Sequence, residues 1–217
     1  MIYNNNVSER KISILYQSEI ETNLEVITES FFDDSIANIV YLGNIGKLQS
    51  VITIIKAAEI INDNKVKFHI MGYGSELDNC KKYCKENNIS NVIFYGKVDF
   101  RYGQAALKQA TVGIISMTKG SEIDYPFPGK IQTYMYCGTP IIYSANGEGA
   151  DFIVKHNCGA HTQPEDSEEL ANCIKKIIKN TSLLDAIRKC VLKTYNSYFT
   201  INHFIERLQN DLKSLIE

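Results

Sequence analysis

A chain of 217 residues with 44% hydrophobic and 22% charged residues has the balance of an ordinary soluble globular protein and enough length to bury a substantial core. A net charge of −2, a pI near 6.1 and the absence of any block of five like charges leave no electrostatic footprint for nucleic acid. No apolar run approaches the roughly 18 residues of a spanning helix, and the opening MIYNNNVSERK lacks the apolar centre of a signal peptide, so the expected location is cytoplasmic.

Residues 1–36 hold two β-like runs, KISILY and LEVIT, and an acidic FFDD, and read as a linker or edge segment. From residue 38 onward, strand and helix patterns alternate. NIVYLG (38–43) is a short apolar run ending in glycine. Between Lys47 and Asn62, Val51, Ile54, Ile55, Ala58 and Ile61 keep helical spacing. KVKFHIM (65–71) is a strand, SELDNCKKYCKENN (75–88) a helix, NVIFYG (91–96) a strand, QAALKQA (104–110) a short helix and VGIISM (112–117) a strand. YPFPGKIQTYMYCGTPII (125–142) then gives a turn-rich approach, a short helix with Ile131, Tyr134 and Met135 on one face, a stop at Gly138 and a strand at 140–144. A helix follows from about Gly149 to His156. Asp166 and Glu169 form a capping-box pattern for a helix through Ile178. A final helix carries Ile201, Phe204, Ile205, Leu208, Leu212, Leu215 and Ile216 on one stripe. Five or six apolar strands separated by helices imply an α/β fold, Rossmann-like and doubly wound, around a mostly parallel sheet.

Six cysteines (80, 84, 137, 158, 173 and 190) and four histidines (69, 156, 161 and 203) are dispersed, with neither C-x-x-C nor metal-ligand spacing. Buried free thiols and structural histidines are the expectation, and no metal or cofactor is implied. No Ser–His–Asp set or paired-carboxylate motif stands out. Asp124 and Glu122 read as a charged loop.

Ligands of an open α/β sheet bind beyond the carboxyl ends of its strands, so the strand-to-helix loops are where chemistry is sought. Three of them are unusual. GNIGK (43–47) has two glycines before a helix start, suited either to close backbone approach by an anion or to a tight turn. It matches neither G-x-G-x-x-G nor G-x-x-x-x-G-K-[ST]. Lys130 stands in the first turn of a helix, where it opposes the helix dipole; a bound anion would satisfy both, and plain solvation is the alternative. ANGEGA (145–150) frees the backbone at Gly147 and Gly149 and places Glu148 before a helix start, either as a dipole complement or as an acceptor for sugar hydroxyls. MGYGS (71–75) is a further glycine turn after a strand.

In order and spacing, YLGNIGK, KFHIMGYGSE, NVIFYGKV, ALKQATVGIISM, PFPGKIQTYMYCGTPII, GEGADFIVKHNCG and PEDSEELANCI resemble the C-terminal, nucleotide-sugar-binding half of glycosyltransferase family 4 enzymes of GT-B architecture. The likeness runs from about Ile39 to about Asn180. P-x-K-I-Q-[ST]-Y-M with GEGA resembles bacterial capsule and lipopolysaccharide sugar transferases. The resemblance implies that the loop from Gly43 through Asn44 to Gly46 approaches the donor diphosphate, with Lys130 as the catalytic cation beside Gly129. It implies that Lys97 and Val98 lie against the base and that Thr133 and Tyr125 occupy the places of two family glutamates; Gly147, Glu148 and Gly149 complete the expected substrate-binding set. Asn44 stands where an arginine is frequent.

The implied ligands are a UDP- or GDP-sugar and a glycan or lipid-linked acceptor. The acceptor would be held by an N-terminal domain for which 217 residues leave no room. The expected organisation is therefore a linker at 1–36, a donor-binding domain at 37–198 and a C-terminal helix at 199–217. That helix would pack on this domain or on the missing one. The complete enzyme would associate peripherally with a membrane. The other functional classes are a non-catalytic nucleotide-sugar-binding or assembly subunit and, ranked lower, half of a sugar-nucleotide epimerase.

Overall fold

The computed structural model describes residues 15, 16, 18, 31–120 and 127–214. The expected strands KISILY and LEVIT (Tyr16 and one neighbour apart), Glu122, Asp124, Tyr125, Leu215 and Ile216 lie outside those residues.

Among the described residues there are six strands, most of them short, largely apolar runs: β1 (Ala37–Leu42), β2 (Val66–Met71), β3 (Val92–Gly96), β4 (Val112–Ser116), β5 (Ile141–Ser144) and β6 (Gly159–Thr162). All pair in parallel in the order β3-β2-β1-β4-β5-β6. Among the described residues eight α-helices connect or follow them: α1 (Val51–Ile61), α2 (Leu77–Glu86), α3 (Phe100–Gln109), α4 (Lys130–Tyr136), α5 (Glu148–Lys155), α6 (Ser167–Ile178), α7 (Thr181–Tyr198) and α8 (Ile201–Lys213). On one face of the sheet α1, α2 and α6 bury Ile54, Ile55, Leu77, Leu170 and Ile174 against Ile39, Tyr41, Phe68 and Ile70. On the other, α3, α4, α5 and α7 bury Leu107, Ile131, Met135, Ile153 and Val191 against Val40, Met71 and Ile115. The expected doubly wound α/β fold is present.

The strand order reverses between β1 and β4, and there the ladder is short. Only Ile39 with Val112 and Val40 with Gly113 pair before the two strands part. Tyr134 of α4 fills the gap. Its hydroxyl accepts from Leu42 N–H at 2.9 Å and donates to the Ile114 carbonyl at 3.1 Å, so both strands stay satisfied where they no longer reach each other. Gly113 lacks a side chain because a Cβ there would meet the Tyr134 ring at 2.6 Å.

Four sequence expectations need correction. The helix expected from Lys47 begins at Val51; a 3₁₀ turn at Lys47–Gln49 precedes it, and Ser50 breaks the two with φ of 41°. The helix expected at 104–110 starts at Phe100, because Asp99 caps it by accepting Arg101 N–H. Asp166 caps α6 by accepting Glu169 N–H, but the Glu169 carboxylate takes Gln163 N–H instead of closing a capping box. Helix α7 was not expected, although it locks the fold: Arg188 donates to the carbonyls of Gly138 and Ala110, tying it to the ends of α4 and α3.

All six cysteines are free, and Cys80, Cys84, Cys137 and Cys158 are buried. Among the described residues no His/Cys/Asp/Glu group is arranged to hold a metal, and no helix is long and apolar enough to cross a membrane.

Replacing Tyr134 by Phe should keep the packing but strand a buried N–H and a buried C=O, at a cost of about 1–3 kcal/mol. Urea denaturation checks this; an unchanged midpoint would show that the phenol does not bridge the strands.

Candidate functional site

Because every strand runs the same way, the loops after β1, β2, β3, β4 and β5 share one edge of the sheet. The exits of β1, β2 and β3 are tied in a row: Gly43 N–H donates to Met71 O at 2.9 Å and Gly72 N–H to Gly96 O at 2.8 Å. Gly43 and Gly72 both take positive φ, 149° and 150°, which disfavours any L side chain. A Cβ on Gly72 would fall on the Gly43 carbonyl oxygen, and one on Gly74 would run into the Ile45 carbonyl. The glycines of MGYGS thus let the second loop press against the first.

The loop from Gly43 to Gly46 is fixed by protein acceptors. Ile45 N–H bonds to Tyr73 O, and Gly46 N–H to the Gln49 side-chain oxygen at 3.2 Å. Asn44 donates from its amide to the same oxygen, and its carbonyl accepts the Tyr41 hydroxyl. Three of the N–H groups expected to be open to an anion, those of Gly43, Ile45 and Gly46, are therefore engaged inside the protein. What this loop offers is its shape and the absence of a side chain at Gly43.

Lys130 occupies the space so left. It is the first residue of α4, with exposed Gly129 as N-cap. Tyr134, one turn on, pins the helix in the β1–β4 gap, and the lysine reaches across the end of β1. A Cβ on Gly43 would collide with its Cε and Nζ. Nζ donates to the Tyr41 hydroxyl at 2.9 Å and lies 4.5 Å from the centroid of that ring. Burial holds the Tyr41 hydroxyl well above its usual range, so the phenol stays protonated, giving its proton to Asn44 and its lone pair to the ammonium. No carboxylate among the described residues lies within ion-pair distance of Lys130; the ion pair recorded is Lys82 with Glu86 at 3.8 Å, on the surface of α2. Desolvation pushes the Lys130 ammonium down from 10.5 to about 8.

The other expected residues flank this centre. Exposed Lys97 and half-buried Val98 follow β3, two strands from β1, so roughly 10 Å to one side at the usual strand spacing. Gly147 caps α5, Glu148 opens it and buried Gly149 packs on the Tyr143 ring; they follow β5, two strands to the other side. Thr133 is half-buried on α4, one turn beyond Lys130. Tyr125 lies outside the described residues. Sequence reasoning missed Tyr41 and Tyr134, whose roles depend on contacts 89 and 92 residues away. It also missed Tyr16, whose hydroxyl reaches Glu148.

One cavity of about 340 Å³ adjoins the end of the loop from Gly43 to Gly46: it opens between the 3₁₀ turn, α1 and α2 and is lined in part by Gly46, Lys47, Ser50, Glu76 and Glu165. Another, of about 530 Å³, runs beside β6, α6 and α7. Neither includes Lys130.

The chain belongs to the glycosyl transferases group 1 family, whose model matches residues 25–193. It is 30% identical over 190 residues to an uncharacterized glycosyltransferase of Methanocaldococcus jannaschii, covering 84% of this chain and 47% of that one. It is 24% identical over 168 residues to the probable glycosyltransferase WbjE of Pseudomonas aeruginosa, covering 76% and 42%. The chain thus spans about half the length of the curated relatives it matches. Among solved structures it is similar to Anabaena HepE in complex with UDP and glucose (20% identity, TM-score 0.71, 83% of this chain and 49% of that one). It is also similar to the C-terminal domain of the group 1 family protein LpcC from Francisella tularensis (17%, 0.66, 76% and 87%). These two likenesses carry the fold.

Lys130 should titrate near pH 8, well below the ordinary lysine value of 10.5, when its side-chain ammonium signal is followed by NMR. Its folded value lies below its unfolded one, so between about pH 8 and 10.5 the unfolded chain binds more protons and stability gains from rising pH. That gain should be missing in Lys130→Met. A Lys130 midpoint near 10.5 would contradict the desolvated geometry.

Proposed function

We propose that this member of the glycosyl transferases group 1 family is the donor-binding half of a retaining glycosyltransferase. It binds a UDP- or GDP-sugar along the C-terminal edge of its sheet. The sugar passes to a glycan or lipid-linked acceptor presented by a second domain. The observation that carries this reading is Lys130: a desolvated ammonium laid against the bare backbone of Gly43, with no carboxylate to neutralise it among the described residues.

The chemistry follows from charge. When the bond between the anomeric carbon and the diphosphate oxygen breaks, negative charge grows on the leaving nucleoside diphosphate. A cation already fixed at that position gains attraction as the charge develops and needs no reorganisation to do so. Tyr41 holds the ammonium without cancelling its charge, since a phenol contributes a lone pair and a ring face but no formal charge. The order along the edge supports a donor lying lengthwise. Lys97 and Val98 would meet the base, Gly43 to Gly46 with Gly129 and Lys130 the diphosphate, and Gly147 to Gly149 the sugar. Thr133 would lie toward the ribose.

A second reading, a non-catalytic nucleotide-sugar-binding subunit, is favoured by one observation. Thr133 offers a single hydroxyl at a place where a carboxylate would grip two ribose hydroxyls.

Calorimetry with UDP, GDP and their sugar conjugates tests both. Lys130→Ala should weaken binding by about 1–3 kcal/mol, the range for a charged hydrogen bond. Absence of binding by any nucleoside diphosphate would overturn the donor-site reading. Binding without sugar transfer, even when an acceptor domain is supplied, would establish the second.

A further inference from the structure

Glu148 is exposed at the start of α5, yet it is held from a distance of 132 residues: the Tyr16 hydroxyl donates to its Oε1. Tyr16 is itself clamped. Its ring lies 4.8 Å from Phe127, 5.6 Å from Phe199 and 6.3 Å from Phe152, and Phe127 packs edge-on to Phe152 at 5.1 Å. These rings come from four parts of the chain: the segment around residue 16, the approach to Lys130, α5, and the corner between α7 and α8. A hydroxyl set in such a cluster has few other positions to take, so the carboxylate it grips is fixed as well. Burial and the neighbouring Glu148 carboxylate push the Tyr16 hydroxyl up to about 12, so it remains a donor at any working pH. Among the described residues Oε2 of Glu148 accepts no hydrogen bond.

We propose that Tyr16 is a positioning residue for the donor sugar: by engaging Oε1 of Glu148 from an aromatic clamp, it presents Oε2 as a fixed acceptor for a sugar hydroxyl. This rests on the donor-site reading above and adds the residue that prepares the sugar end of that site. A glutamate on a helix start normally surrenders rotamer freedom when it binds a ligand; here that freedom is already gone, so the hydrogen bond to the sugar keeps more of its strength. The chemistry selects a polyhydroxylated group, since the partner of Oε2 must be a donor.

The test is calorimetry on the full chain with UDP, GDP, UDP-glucose, UDP-galactose, UDP-N-acetylglucosamine and GDP-mannose. Wild type, Tyr16→Phe, Glu148→Gln and the double variant are compared. At least one sugar conjugate should bind wild type more tightly than its nucleoside diphosphate. Tyr16→Phe keeps the ring and should remove that gain, about ten-fold, while moving the affinity for the nucleoside diphosphate less than about two-fold. The double variant should be no worse than Glu148→Gln alone, because both changes break one arrangement. A gain that survives Tyr16→Phe, an equal loss for nucleotide and conjugate, additive effects, or no gain from any sugar would overturn the role of Tyr16 and leave nucleotide binding intact. If no nucleoside diphosphate binds wild type, the donor-site reading fails, and this inference with it.

Discussion

One phenol holds the centre of this molecule together. A doubly wound sheet must open where its strand order reverses, and opening it exposes backbone groups that burial would leave unpaired. Tyr134 meets the need at the β1–β4 junction, with its hydroxyl taking Leu42 N–H and giving to Ile114 C=O. The same side chain fixes where α4 can sit. Once Tyr134 is wedged against Gly113, the first residue of its helix must stand over the end of β1. The position of Lys130 is thus a consequence of how the crevice is satisfied.

A lysine in that place is expensive to hold charged, because burial removes water from its ammonium without supplying an anion. The surrounding groups reduce the cost only partly. A tyrosine lone pair and ring face are favourable to a cation, and the glycine at position 43 lets the chain stretch out fully. An arrangement of this kind is stable enough to persist and incomplete enough to favour an incoming dianion. The loops beside it are rigid for a separate reason. Gly43, Gly72 and Gly96 tie three strand exits together by backbone hydrogen bonds, so the surface offered to a ligand is set before the ligand arrives.

Much of this was legible in the sequence, and the misses have physical causes. Strands β1 to β5 are predominantly apolar runs, as a sheet covered on both faces requires, and their order with the helices specified the fold. Strand β6, GAHT, is four residues long, has two small side chains and pairs on one side only, so it carries no apolar signature. Helix α7 keeps Leu184, Ile187, Val191 and Tyr195 at helical spacing, but only Lys179 and Asn180 separate it from α6, without the glycine or proline that marks a boundary. The helix after β1 starts late because Ser50 adopts a left-handed conformation that no local pattern announces. At the site, Lys130 was visible as a cation on the wrong end of a helix. Its partner Tyr41, the wedge Tyr134 and the clamp around Tyr16 were not, since each acts across about 90 residues or more.

Proton uptake on binding UDP or GDP at pH 9 is the most direct test that Lys130, desolvated by burial, waits for a diphosphate. Free Lys130 is then mostly deprotonated, and a bound diphosphate anion should restore its proton. Calorimetry in buffers of different ionisation enthalpy should show uptake of a large fraction of one proton by wild type and none by Lys130→Met. Binding at pH 9 with no net uptake by wild type, or with the same uptake by both proteins, would contradict it.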